Sequence, residues 1–128
     1  MRVLLDTHTL IWWATDDPKL SRKARAILLS FESEIFVSAA SAWEIATKVR
    51  LGKLPGAEIF AAEFPERVQK LGFLELAISI EHAQRAGLLP GDHKDPFDRM
   101  LIAQAQAENI PIVSNKRIFD AWRVRRIW

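Results

Sequence analysis

Four carboxylates stand where the chain changes character: Asp6 after the apolar run Val3-Leu4-Leu5, Glu44 in Ser41-Ala42-Trp43-Glu44, and Asp95 and Asp98 in Asp95-Pro96-Phe97-Asp98. Each has an ordinary explanation. Asp6 can cap a helix, Ser41 and Glu44 spell a capping box, and Asp95 followed by Pro96 reads as an N-cap with proline at the first helical position. Capping does not require the acids to converge, however, and convergence would carry chemistry. Carboxylates a few ångströms apart repel, and they either take up protons or recruit a hard, oxygen-seeking cation such as Mg²⁺ or Mn²⁺. A cation held this way lowers the pKa of a bound water, orients it for in-line attack and neutralises charge on a phosphodiester, which is hydrolytic nuclease chemistry. Spacing alone leaves both readings open.

The elements that must position these acids follow from the apolar pattern. Val3-Leu4-Leu5 reads as a buried strand handing over to a helix through Thr7 to Trp13, and Asp16-Asp17-Pro18 breaks the chain. Ser21 opens a helix whose apolar positions Ala24, Ile27, Leu28 and Phe31 recur at helical spacing. Ile35-Phe36-Val37 is the second strand, and a helix from Ser38 or Ser41 to Leu51 closes at Gly52. The spacing predicts one further helix from Ala57 to Leu71, an extended segment from Leu74 to Ile78, and a helix capped by Ser79 that runs to Leu88. After Pro90-Gly91 come a helix from Pro96 to Glu108, a strand at Ile112-Val113, a short helix near Arg117 to Ala121 and a last strand within Val124 to Ile127. Strands that alternate with helices and are apolar throughout predict an α/β domain with a mainly parallel central sheet covered on both faces.

At 128 residues a single domain over residues 1–128 is expected. The chain has no cysteine, so disulfides and cysteine-ligated metals are excluded, and His8, His82 and His93 are not spaced as a zinc cluster. Asp6 interrupts the first apolar run too early for a signal peptide and no run approaches a membrane span, so a cytoplasmic protein is expected. Lysine and arginine total 18 against 16 acids, a net charge of +2 that says little about partners. Its distribution says more: Lys116, Arg117, Arg123, Arg125 and Arg126 face Asp120 alone at the C-terminal end, a basic segment suited to phosphates or to solvent. Trp12, Trp13 and Trp43 are expected in the core or at a dimer contact rather than as base-stacking platforms.

The stretch Leu4-Leu5-Asp6-Thr7-His8-Thr9-Leu10-Ile11-Trp12-Trp13, the Ser41-Ala42-Trp43-Glu44-Ile45 segment and the run from His93 to Ala105 containing Asp95-Pro96-Phe97-Asp98-Arg99 resemble PIN domains of the VapC toxin group. Ile112-Val113-Ser114-Asn115 and Phe119-Asp120-Ala121-Trp122 are similar too, in the right order along essentially the whole chain. The resemblance implies a twisted parallel sheet between helices, an endoribonuclease acting on single-strand or tRNA-like RNA, Mg²⁺ or Mn²⁺ as cofactor, a homodimer, and a cognate antitoxin that blocks the site. By position it makes Asp6, Glu44 and Asp98 metal ligands or water-orienting groups, adds Asp95 to the catalytic set, and gives Thr7 the place of the small hydroxyl residue beside the first acid. The sequence departs from the family in one place. Where the pattern has a fourth acid two residues beyond Ser114, this chain has Lys116, which lowers the local negative charge by two units and should weaken a second metal.

Two other phosphate chemistries fit less well. A haloacid-dehalogenase-type phosphatase would need an aspartate where His8 stands, and a receiver-type phosphoacceptor would need an acidic pair beside the first strand. The non-enzymatic alternative is a PIN-like RNA- or protein-binding module that has lost catalysis, with Lys116 as its support.

Overall fold

Val3, Leu4 and Leu5 are buried because β1 (Arg2–Leu5) is the middle strand of a five-stranded sheet, in a computed structural model that describes residues 1–128. β2 (Glu34–Ser38) lies on one side of β1 and β3 (Leu74–Leu76) beyond it; β4 (Ile112–Val113) lies on the other side, with β5 (Arg126–Ile127) at the far edge. All four pairings are parallel, with Val3 opposite Ile35, and Leu5 opposite Val113. Parallel pairing requires a crossover between strands, and the helices that supply it cover both faces.

Successive strand residues point to opposite faces, so the sheet divides two cores. Val3, Leu5, Ile35, Val37, Val113 and Ile127 meet Leu10 of α1 (Thr7–Ala14), Ala24 and Leu28 of α2 (Arg22–Leu29) and Ile45 of α3 (Ala39–Arg50). Phe64 and Val68 of α5 (Phe64–Lys70) complete that layer, with α4 (Glu58–Ala62) just before it. On the other face Leu4 and Ile112 meet Leu101, Ile102 and Ala105 of α7 (Pro96–Glu108). Phe119 of a 3₁₀ helix (Arg117–Trp122) joins them, and α6 (Ile80–Leu88) packs along α7.

Most of the expected elements stand where the pattern put them, and the differences have local causes. The single helix expected from Ala57 to Leu71 is two, because Pro65 sits in the first turn of α5, where its missing N–H and ring favour a new start. α2 ends at Leu29, which leaves Phe31 fully exposed rather than on the buried face. α3 begins at Ala39 with Ser38 as its cap, so Ser41 and Glu44 lie inside the helix and form no capping box. Gly52 and Gly72 adopt φ of 73° and 77°, the left-handed turn that ends α3 and α5.

Phe119, which is fully buried, joins the C-terminal segment to the second core. Truncation of Phe119→Ala should destabilise the fold by about 3–5 kcal/mol, the usual range for emptying an aromatic site in a core. Urea unfolding followed by circular dichroism measures it, as a lower midpoint at unchanged slope.

Candidate active site

In an open parallel sheet the crevice for ligands lies at the carboxyl ends of the strands, where the strand order reverses. Here that point lies between β1 and β4, since the chain runs from β1 outward through β2 and β3 and returns to the other side of β1. Asp6 follows β1 and Ser114 follows β4, and the register of Leu5 with Val113 sets them side by side. Ser114 Oγ donates to Asp6 Oδ2 at 2.7 Å.

Asp6 is the N-cap residue of α1 by position, yet its carboxylate caps nothing. Oδ2 is taken by Ser114, and Oδ1 is buried with no hydrogen-bond partner. The residue is 1% exposed. Burial pushes its carboxyl above the usual carboxylate range, against the pull of Lys116, the Ser114 hydroxyl and His8; the charge of Asp98 adds to the rise. An orphaned carboxylate oxygen inside a fold is costly, and helix capping does not account for it.

Asp98 enters from the opposite face of the sheet, in the first turn of α7. Its Oδ1 accepts from Lys116 Nζ at 3.1 Å, and its Oδ2 lies 3.0 Å from His93 Nε2, the donor toward an ionised carboxylate. Asp95 holds that turn in place, with Oδ1 accepting from the amides of Phe97 and Asp98. Asp95 therefore does what its sequence context suggested and acts on Asp98 through the backbone. Arg99 donates to the carbonyls of Ala86, Leu89 and His93, which ties the loop carrying His93 to the end of α6.

Glu44 lies on α3, 1% exposed, and receives the ammonium of Lys48 one turn later. Ser41 Oγ and Thr7 Oγ1 lie 2.9 Å apart, buried, and clasp the start of α1 to α3. The hydroxyl of Thr7 is thus spent on the helix contact rather than on Asp6.

Lys116 is the meeting point of the acids. Burial works against its ammonium, but Asp6, Asp98 and Glu44 outweigh that penalty, and its pKa lies above the ordinary lysine value. Its backbone N–H donates to Ser114 Oγ at 3.0 Å, so one hydroxyl links Lys116 to Asp6. The charges of all three acids act on one ammonium, but each leans on a partner of its own, and no three acidic or imidazole side chains stand as a ready set around one metal position. The donor chemistry nevertheless suits a hard divalent cation. All three are oxygen donors, Asp6 has an unsatisfied oxygen, and a positive charge already sits among them.

Sequence reasoning missed the partners that fix these acids. Ser114 and His93 were legible only as neighbours of motifs, and Lys116 only as a departure. The basic C-terminal segment does not act as one surface. Arg126 pairs with Asp120, whereas Arg123 and Arg125 line a cleft of about 530 Å³ with Arg85 at the amino-terminal side of β4 and β5, away from the acids. Trp12 and Trp13 pack against the first core, but Trp43 is 58% exposed and meets Phe97 edge to face at 4.9 Å between ring centres. A second, mainly apolar cleft of about 500 Å³ lies beside α1 and α3, lined by Ile11, Ile45, Leu54 and Phe60 among others.

A family model described as PIN domain matches residues 3–123 of this chain. Over 73 residues the chain is 44% identical to ribonuclease VapC16 of Mycobacterium tuberculosis (strain ATCC 25618 / H37Rv), a match covering 54% of this chain and 50% of that protein. The chain thus spans about half the length of this curated relative. Among solved structures, VapBC2 from Rickettsia felis bound to a promoter DNA fragment superposes with a TM-score of 0.69 at 17% identity, over 99% of this chain and 98% of the other. A toxin–antitoxin complex from Klebsiella pneumoniae gives 0.68 at 20% identity, over 98% and 96%. At such identities the likeness establishes a common fold.

The buried charge of Asp6 has a measurable consequence. A carboxyl whose folded pKa is raised favours the folded state below its unfolded pKa, and that advantage is lost as the pH rises through the folded value. Asp6→Asn removes the charge and can still accept from Ser114. In the presence of a chelator at pH 7 the variant should melt above the parent. The difference should narrow as the pH falls toward the ordinary carboxylate range, as thermal melts across pH will record.

Proposed function

The chain belongs to the PIN-domain family, and from that premise we propose that it is a divalent-metal-dependent endoribonuclease, the toxin of a bacterial toxin–antitoxin pair. The observation that carries this reading is the buried, unpartnered Asp6 oxygen at the sheet's switch point, with Asp98 and Glu44 facing the same ammonium. Asp6, Asp98 and Glu44 are the residues that would hold Mg²⁺ or Mn²⁺. Such an ion supplies an activated water and neutralises charge on the scissile phosphodiester.

The chain's own groups prepare that chemistry. Ser114 orients Asp6 by occupying Oδ2, which leaves Oδ1 without a partner. His93 and Lys116 hold the two oxygens of Asp98, and Lys48 holds Glu44. Asp95 is a positioning residue, through the first turn of α7. RNA is the substrate class that the 44% identical ribonuclease supports. The toxin–antitoxin complexes of similar fold support an antitoxin partner, one that would block the acidic site. A homodimer working in the cytoplasm completes the proposal; no helix is long and apolar enough to cross a membrane. Lys116 among the acids favours a second reading, an RNA- or protein-binding module without catalysis.

Purified protein should cleave RNA with Mg²⁺ or Mn²⁺ and lose cleavage with a chelator. Asp6→Asn, Glu44→Gln and Asp98→Asn should each lower the rate at least about a hundredfold with the fold intact. Undiminished cleavage by all three, in a contaminant-controlled gel assay, rejects the assignment, and a parent protein that binds RNA without cutting it selects the second reading. Asp95→Ser, which keeps a capping hydroxyl, should retain cleavage within a few-fold, whereas a loss like that of Asp98→Asn would return Asp95 to the catalytic set. Expression of the chain alone should slow bacterial growth, and co-expression of its antitoxin should restore it.

A further inference from the structure

Two ammonium groups reach the acids, and they are not equivalent. Lys48 pairs with Glu44 along the surface of a single helix, one turn apart. Lys116 comes from a different segment and is anchored at its backbone. Its N–H is bound by the Ser114 hydroxyl that also donates to Asp6, so the main chain is fixed while the four-carbon arm carries Nζ to Asp98. Burial of Lys116 and Asp98 at this contact is considerable, with side-chain exposures of 25% and 6%. Asp6, 1% exposed and with a partnerless Oδ1, acts by its charge on the same ammonium.

We propose that Lys116 is a resident cation of the acidic cluster: its ammonium fills a cation position on Asp98, a divalent ion enters by displacing it, and the cluster then accepts one such ion rather than two. The inference rests on the reading of Asp6, Asp98 and Glu44 as a divalent-cation site. Formal charge supports the number. Three carboxylates with Lys116 and Lys48 give −3 + 2 = −1; once one divalent ion has displaced Lys116 the sum is −3 + 1 + 2 = 0, and a second ion would bring it to +2. The arm is suited to exchange, because lysine is a flexible point charge whose displacement breaks one ion pair and leaves the anchored backbone undisturbed. Without an ion, the same ammonium neutralises acids that would otherwise repel one another inside the fold.

Mn²⁺ titration by calorimetry, without RNA, tests this on the parent, Lys116→Met, Lys116→Arg and Lys116→Asp. The parent should bind one ion weakly. Lys116→Met should bind one ion at least tenfold more tightly, because no ammonium has to be displaced from Asp98. Lys116→Arg should remain weak, and Lys116→Asp should bind more tightly still and take a second ion. Thermal melts supply an independent reading: Lys116→Met should melt below the parent with a chelator present and gain more than the parent from saturating Mn²⁺. If Lys116→Met fails to fold without metal, Lys116→Gln serves in both measurements. Equal Mn²⁺ affinity in the parent and the neutral variants overturns the exchange while leaving the metal site standing. Two ions in the parent overturn the stoichiometry. Absence of Mn²⁺ binding in every protein overturns this inference together with the metal site, whereas loss of RNA cleavage alone bears on the proposed function only.

Discussion

Burying negative charge at the edge of a parallel sheet is the constraint around which this molecule is arranged. A carboxylate removed from water needs hydrogen bonds or opposite charge, and each of the three buried acids has a different supplier. Asp6 has a serine hydroxyl from the neighbouring strand end, Asp98 has a lysine and a histidine from two loops, and Glu44 has a lysine on its own helix. Of the three, Asp6 alone has an oxygen that is buried and left without a partner. Polar groups are left short in this way where structure has yielded to function, and the incomplete satisfaction falls where the topology places a ligand crevice.

The two-core architecture makes that convergence possible. Asp6 and Glu44 belong to elements on one face of the sheet, Asp98 to the helix on the other, and Ser114 and Lys116 to the chain leaving β4. The site is therefore assembled across the sheet edge by segments that no single helix or loop could bring together. Much of the remaining hydrogen bonding serves this placement. Thr7 and Ser41 lock α1 to α3, Asp95 fixes the first turn of α7, Arg99 ties the His93 loop to the end of α6, and Thr9 donates to the Val113 carbonyl just before Ser114.

Lys116 gives this site a character that its family membership does not convey. A lysine where the pattern calls for an acid can be read as damage to a metal site, or as a residue facing solvent. Its ammonium is instead embedded among the acids and held by a charge-assisted bond, so it takes part in the site's electrostatics whatever else enters. The acids have thereby kept a charge balance that a fourth carboxylate would have upset further.

The sequence by itself determined the order of the elements and most of their positions. Apolar runs of three residues, helical spacing, Pro96 and the glycines at 52 and 72 are local signals, since propensity and capping depend on residues a few positions apart. Resemblance added the family and the positions of Asp6, Glu44 and Asp98. Local pattern could not decide between cap and site. Asp6 occupies a cap position without capping, Asp95 caps, and Ser41 and Glu44 sit inside α3 because the helix begins at Ala39. Only the tertiary structure separated these cases, because the deciding contacts, Ser114 to Asp6 and Lys116 to Asp98, join residues 108 and 18 positions apart. Such pairings are set by strand register and by which face of the sheet each helix covers, and neither is written in the neighbourhood of the residues concerned.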